Sequence, residues 1–148
     1  MIRRDFIKNS GIAAAGTSLI GNSKSWAGAN ERVGIAQIGM GGRGGELMLH
    51  WAKLDGAEVR TICDPDERRM ERWGEEHQKA VGKKPKYEPD LRKILENDNI
   101  DAVVLTCCNH WHTPAAIWAC QAGKHAYVEK PVSHNIVEGQ KLIEAARK

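Results

Sequence analysis

The chain has 148 residues, room for one ordinary domain, and its 22 basic against 19 acidic residues give a formal net charge of +3. That excess belongs to the first 29 residues, which hold Arg3, Arg4, Lys8 and Lys24 against Asp5, so the remainder carries no net formal charge. A balanced body gives no support to a nucleic-acid or anionic-membrane surface, and four cysteines without C-x-x-C spacing demand no disulfide framework.

Arg3-Arg4-Asp5-Phe6-Ile7-Lys8 is a basic n-region, Gly11 to Ile20 is mildly apolar, and Ala27-Gly28-Ala29 has the small-x-small pattern of a cleavage site. The stretch is too short and too weakly apolar to stay in a bilayer as a helix. It resembles a twin-arginine export signal, with Arg3, Arg4, Phe6 and Lys8 at the consensus positions. That resemblance implies a periplasmic or exported protein, carried already folded and loaded with its cofactor in the cytoplasm. Residues 1–29 are then the signal and 30–148 the domain.

Val33, Ile35, Ala36 and Ile38 read as a buried strand that stops at glycine, and Glu46 to Leu54 reads as a helix with Gly56 as its C-terminal cap. Between them lies Gly39-Met40-Gly41-Gly42-Arg43-Gly44, in which Gly39, Gly41 and Gly44 have G-x-G-x-x-G spacing. In a dinucleotide site the first glycine allows the turn. The second lets the backbone approach a diphosphate, and the third lets helix and strand pack closely. The helix N-terminus then supplies free N–H groups to the phosphates. Ala57 to Cys63 is a second strand ending at Asp64, 20 residues after Gly44. A carboxylate there accepts from both ribose hydroxyls and repels a 2′-phosphate, which points to NAD, although Arg68 and Arg69 one turn on leave NADP open. Asp64 also has a second reading, as the acid that starts the next helix.

Asp66 to Val81 is a charged, solvent-facing helix, Tyr87 marks at most a short strand, and Asp90 to Glu96 has helical spacing. Ile100 to Cys107 is a buried strand. Thr113-Pro114 has the form of a helix start, with Ala116, Ile117 and Cys120 on its inner face and Gly123 at its end. His125 to Glu129 is a last strand, and Asn135 with Glu138 is a capping box opening a last helix. This alternation predicts an α/β fold, a Rossmann-type doubly wound, mostly parallel sheet.

Ligands of such sheets lie outside the carboxyl ends of the strands. Those ends are Gly39–Gly44, Asp64, Cys107–His112 and Glu129-Lys130-Pro131. Asn109-His110-Trp111-His112 places two imidazoles and an indole there, but no acid or Cys completes a metal-ligand set, so no metal site is expected. Lys130 sits on a backbone stiffened by Pro131, and beside a positively charged nicotinamide it suits proton transfer. Glu129 is placed to pair with it.

Together the glycine turn, Asp64, the Asn-His-Trp-His segment and Ala122-Gly123-Lys124-His125-x-x-x-Glu129-Lys130-Pro131 resemble the Gfo/Idh/MocA oxidoreductases, from Arg32 to the end. The resemblance implies a nicotinamide cofactor, a sugar or polyol substrate, and hydride transfer from a carbinol carbon. It makes Lys130 the active-site lysine, puts Asn109 and His112 near the nicotinamide ribose, and sets Glu129 beside the cofactor. It further implies an oligomer for a full-length member. The family's C-terminal α+β domain has no counterpart in these residues, so the expectation is a fragment, or a remnant that binds dinucleotide without turnover. An NAD-dependent glycoside hydrolase on the same fold is the other reading, since fold separates these chemistries poorly.

Overall fold

The structure, a computed structural model, describes residues 32–148, and the expected export signal lies outside them. The apolar run Val33–Ile38 is the central strand, β1, buried in all but its first residue. Around it stand β2 (Ala57–Cys63), β3 (Lys86–Tyr87), β4 (Ala102–Leu105) and β5 (His125–Val128). The helices are α1 (Gly42–Trp51), α2 (Glu67–Val81), α3 (Leu91–Leu95), α4 (Asn109–Gln121) and α5 (Ile136–Ala146). The sheet order is β3-β2-β1-β4-β5 and every pairing is parallel, as the alternation predicts. The order reverses between β1 and β4, the point at which such sheets leave a crevice for a ligand.

Side chains alternate across a strand, and the core divides accordingly. Ala36 and Ile38 pack with Ile94 of α3 and Ala115, Ala116 and Ala119 of α4. Ile35 faces the other way, onto Leu47 of α1 and Val104, while Met48, Ile62 and Met70 close the layer beneath α1 and α2. Each fully buried side chain of this size contributes about 1.5–3 kcal/mol, so the two layers dominate the stabilisation. The charged α2 is mostly exposed and is tethered by Met70, Gly74 and His77, one seam at helical spacing. Lys124 donates to the carbonyls of Asn97 and Ile100 at 2.9 and 2.8 Å, tying the turn before β5 to the approach of β4.

Several boundaries differ from the sequence reading. Helix α1 begins at Gly42, not Glu46, and ends before Ala52, so Gly56 lies in the following turn and caps nothing. Helix α4 begins at Asn109, with Cys108 as N-cap and Pro114 inside it. The Thr-Pro pair misled because Thr113 spends its hydroxyl elsewhere, donating to the Val132 carbonyl at 3.0 Å rather than capping a helix. Ala115 and Ala119 join Ala116 on the inner face, while Ile117 and Cys120 are only half-buried. Asp66, not Asp64, caps α2, accepting from the Arg68 amide at 3.2 Å. Among the described residues no helix is long and apolar enough to cross a membrane.

Candidate dinucleotide site

The glycine turn is built from below. Gly39 has φ of +86°, a left-handed conformation that a side chain would strain. Any Cβ there would also meet the backbone of Thr106 and Cys107 at the end of β4. The Thr106 hydroxyl lies 2.7 Å from the Gly39 carbonyl oxygen and 2.9 Å from that of Ile38, and it accepts from Gln37 Nε2 at 2.8 Å. Gly44 must be glycine for a different reason: a Cβ would collide with the Gly39 carbonyl oxygen. Thr106 and Gln37 were not singled out in the sequence. Gln37 sits as a polar residue in an apolar strand, a signal that was available.

Above the turn the space is open. A Cβ at Gly41 or Gly42 would meet nothing within 4 Å, and Gly41, the N-cap of α1, has no side chain to satisfy the first-turn amides. These residues fit a diphosphate: free N–H groups at a helix N-terminus with room for the anion to approach.

Asp64 follows β2 and is 4% exposed. Its carboxylate accepts from the Met40 amide at 2.7 Å and the Asp66 amide at 2.9 Å, pinning the glycine turn to the end of β2. Arg69 stands 3.8 Å from the same carboxylate. Each oxygen keeps a further lone pair, so Asp64 can hold the turn and still accept from a ribose hydroxyl.

On the other flank, Glu129 pairs with Arg43 rather than Lys130: Arg43 Nε donates to its Oε1 at 3.0 Å. Only the backbone amide of Lys130 reaches it, at 3.2 Å. Consecutive residues of an extended segment point to opposite sides, which separates the two side chains and leaves Glu129 facing the glycine turn. The Arg43 guanidinium, followed by the Lys130 amide, holds the Glu129 carboxyl below the usual carboxylate range. The Lys130–Pro131 peptide is cis. Lys130 is exposed, and its ammonium has no ion pair among the described residues.

The Asn-His-Trp-His segment forms the first turn of α4. His112 is 3% exposed, with Nδ1 2.7 Å from the Pro131 carbonyl and Nε2 3.0 Å from that of Cys107. Its ring therefore fastens the segment after β5 to the end of β4, behind the open face of the site. Asn109, the first residue of the helix, is exposed. His110 lies at the surface beside Trp111, so the two imidazoles do not converge.

A cleft of about 680 Å³ opens from the glycine turn on the β2 side, lined by Gly39, Gly41, Asp64 and Arg69 and by Trp111 and Trp118 of α4. Cys63 and Cys107 also border it. Burial pushes the first up to about 12 and the second to about 11, so both are thiols at neutral pH and neither is a ready nucleophile. Glu129 and Lys130 do not line this cleft; they lie on the opposite side of the turn.

Comparison with known proteins agrees with this geometry. Residues 33–148 match the model of the Gfo/Idh/MocA family, described as an oxidoreductase family with an NAD-binding Rossmann fold. A glycosyl hydrolase family 109 protein from Solibacter usitatus is 32% identical over 95% of this chain and 35% of its own length. An alpha-N-acetylgalactosaminidase from Shewanella oneidensis is 32% identical over 80% of this chain and 27% of its own. Among solved structures, the WlbA dehydrogenase from Bordetella pertussis, in complex with NADH and UDP-GlcNAcA, superposes with a TM-score of 0.68 at 26% identity. That match covers 78% of this chain and 34% of the other. The chain thus spans about a third of the length of the relatives it matches. The open glycine turn, the β1–β4 crevice and the family match lead to one conclusion: the chain belongs to the Gfo/Idh/MocA oxidoreductase family and carries its NAD-binding Rossmann domain.

Proposed function

We propose that the chain is the nucleotide-binding half of an NAD-dependent enzyme that transfers hydride between a sugar or polyol carbinol and the nicotinamide. The observation that carries it is the meeting, at one edge of the sheet, of the open cradle at Gly41 and Gly42, the Asp64 carboxylate and Lys130. Amides of Gly41, Gly42 and Arg43 hold the diphosphate, and the Arg43 guanidinium, steadied by Glu129, screens its charge. Met40 couples the turn to Asp64, which accepts from the adenosine ribose and favours NAD over NADP. Asn109 borders the nicotinamide side, and His112 sets the position of the Lys130–Pro131 segment by gripping the Pro131 carbonyl. Bound NAD supplies the hydride acceptor. Lys130, as the neutral amine, would take the hydroxyl proton as the carbinol becomes a carbonyl, so that proton and hydride leave by separate routes.

A second reading has a specific observation in its favour: relatives from Solibacter and Shewanella carry glycosyl hydrolase names. There the hydride returns within one cycle and the net reaction is hydrolysis, with Lys130 in the same role. Export through the twin-arginine route belongs to the same proposal and rests on Arg3, Arg4, Phe6 and Lys8.

The test is Lys130→Met in the full-length protein. Turnover falls by 10²-fold or more, the scale of a lost general acid–base group, while NADH affinity stays within about twofold. Unimpaired turnover would remove Lys130 from the chemistry. Sugar release from an aryl glycoside with catalytic NAD and no accumulation of NADH selects the hydrolytic reading.

A further inference from the structure

His112 is 3% exposed, and both of its ring nitrogens face backbone carbonyls, Nδ1 the Pro131 oxygen at 2.7 Å and Nε2 the Cys107 oxygen at 3.0 Å. A carbonyl oxygen can only accept. A neutral imidazole carries one N–H and one bare nitrogen, so it satisfies one of these oxygens and sets a lone pair against the other. The imidazolium carries two N–H groups and satisfies both. Among the described residues the ring has no third hydrogen-bond partner and no ion pair. Thr113, the next residue, donates to the Val132 carbonyl at 3.0 Å. Two adjacent side chains of α4 thus hold two adjacent carbonyls of the segment that carries Lys130. The hydroxyl does so at every pH, and the imidazole does not.

The titratable groups on the elements around the ring are Cys107 and Cys108 at the end of β4, His110 in its own turn, and Glu129, Lys130 and His134 after β5. Helix α5 adds Glu138 and Lys141. Neither carboxylate is free to neutralise a charge on the imidazole. Glu129 pairs with Arg43, and Glu138 accepts from the His134 amide and the Asn135 side chain. Lys141 is paired with Glu144. The two carbonyls favour the charged ring, while burial and the positive end of α4 favour the neutral one. These opposed influences leave the ring able to change state instead of locking it in one.

We infer that His112 is a pH-operated clamp and, through it, a positioning residue for Lys130. Charged, the ring ties the end of β4 to the segment Lys130–Val132. Neutral, it gives up one of the two carbonyls, and that tie is broken while Thr113 still holds Val132. The inference rests on the proposed role of Lys130 only for what the clamp positions, since the clamp itself stands on the two carbonyls that face the ring.

Long-range nitrogen–proton correlation spectra of the full chain, with the His112 ring assigned through its own backbone, read each ring nitrogen as protonated or bare. Between about pH 5 and 8 the ring passes from two protonated nitrogens to one. The amide nitrogens of Cys108 and Val132 share peptide groups with the two carbonyls, and at least one of them shifts on the same titration curve. A ring that keeps a single protonation state throughout, or that titrates with neither amide following, overturns the clamp. Turnover by the full-length protein tests the link to Lys130, against His112→Gln, whose amide does not titrate. The ratio of wild-type to variant kcat, in which the titration of Lys130 itself cancels, falls by about two- to tenfold from the acid to the alkaline side, the scale of one hydrogen bond. A ratio flat with pH overturns the positioning of Lys130. Wild-type turnover by Lys130→Met would instead remove the catalytic reading beneath it, with the ring titration unchanged.

Discussion

At the scale of single residues, two glycines of one motif do opposite jobs, and substitution separates them. Gly44 is buried between helix and turn, where a methyl would strike the Gly39 carbonyl oxygen, an atom of the backbone that cannot swing aside. Gly41 has φ −66° and ψ −176°, which any residue adopts, and a methyl there would meet no protein atom within 4 Å. Gly44→Ala is therefore expected to cost about 1–3 kcal/mol of stability, the range for overpacking, and to lower the melting temperature. Gly41→Ala is expected to melt like wild type yet to bind NADH at least about tenfold more weakly, about 1.4 kcal/mol, because its methyl stands where the diphosphate approaches. Thermal melts and NADH titration of both variants check the pair. A Gly41→Ala chain with intact affinity would show that phosphate does not sit against this turn.

At the scale of elements, the helices divide by how they begin. Helices α2, α3 and α5 each open on a side chain that caps them, Asp66, Asp90 and Asn135, and the sequence located all three within a residue. Helices α1 and α4 open on Gly41 and Cys108 with no side-chain cap, and these are the two whose starts the sequence placed late, by four and five residues. Their first turns face the crevice between β1 and β4. Capping residues are legible because they satisfy amides locally, and where a ligand is to satisfy those amides the local signal is absent. The contacts that fix the first turn of α4 are long-range for the same reason: His112 and Thr113 reach the carbonyls of Pro131 and Val132, 19 residues on. His112→Phe keeps the ring volume but removes the ring nitrogens that the Pro131 and Cys107 carbonyls meet. The expected loss is about 0.5–1.5 kcal/mol in a denaturant melt, with the amides of Lys130 and Val132 exchanging hydrogen faster. Unchanged stability and exchange would mean that the ring only fills space.

At the scale of the whole molecule, strand order and the glycine–Asp64 constellation were legible because periodicity and motif spacing are local properties of the chain. The cleft beside the turn was not, since Asp90 and Trp111 come to line it only after β3 and β4 have been placed on opposite sides of β1. The same topology leaves one flank uncovered. Strand β5 is an edge strand, α5 has no buried residue, and Ile136, Val137 and Ile143 are 81%, 63% and 52% exposed. Val132, also exposed, adds to this apolar surface on the flank farthest from β3. An apolar surface of this kind does not stay wet at no cost, because each such side chain regains about 1.5–3 kcal/mol when covered. The 148-residue chain is therefore expected to bind an environment-sensitive apolar dye strongly and to self-associate with rising concentration. Ile136→Lys with Ile143→Lys should suppress both, judged by dye fluorescence and sedimentation. NADH affinity should not change, since neither residue borders the cleft. A double variant that associates as strongly as wild type would place the sticky surface elsewhere.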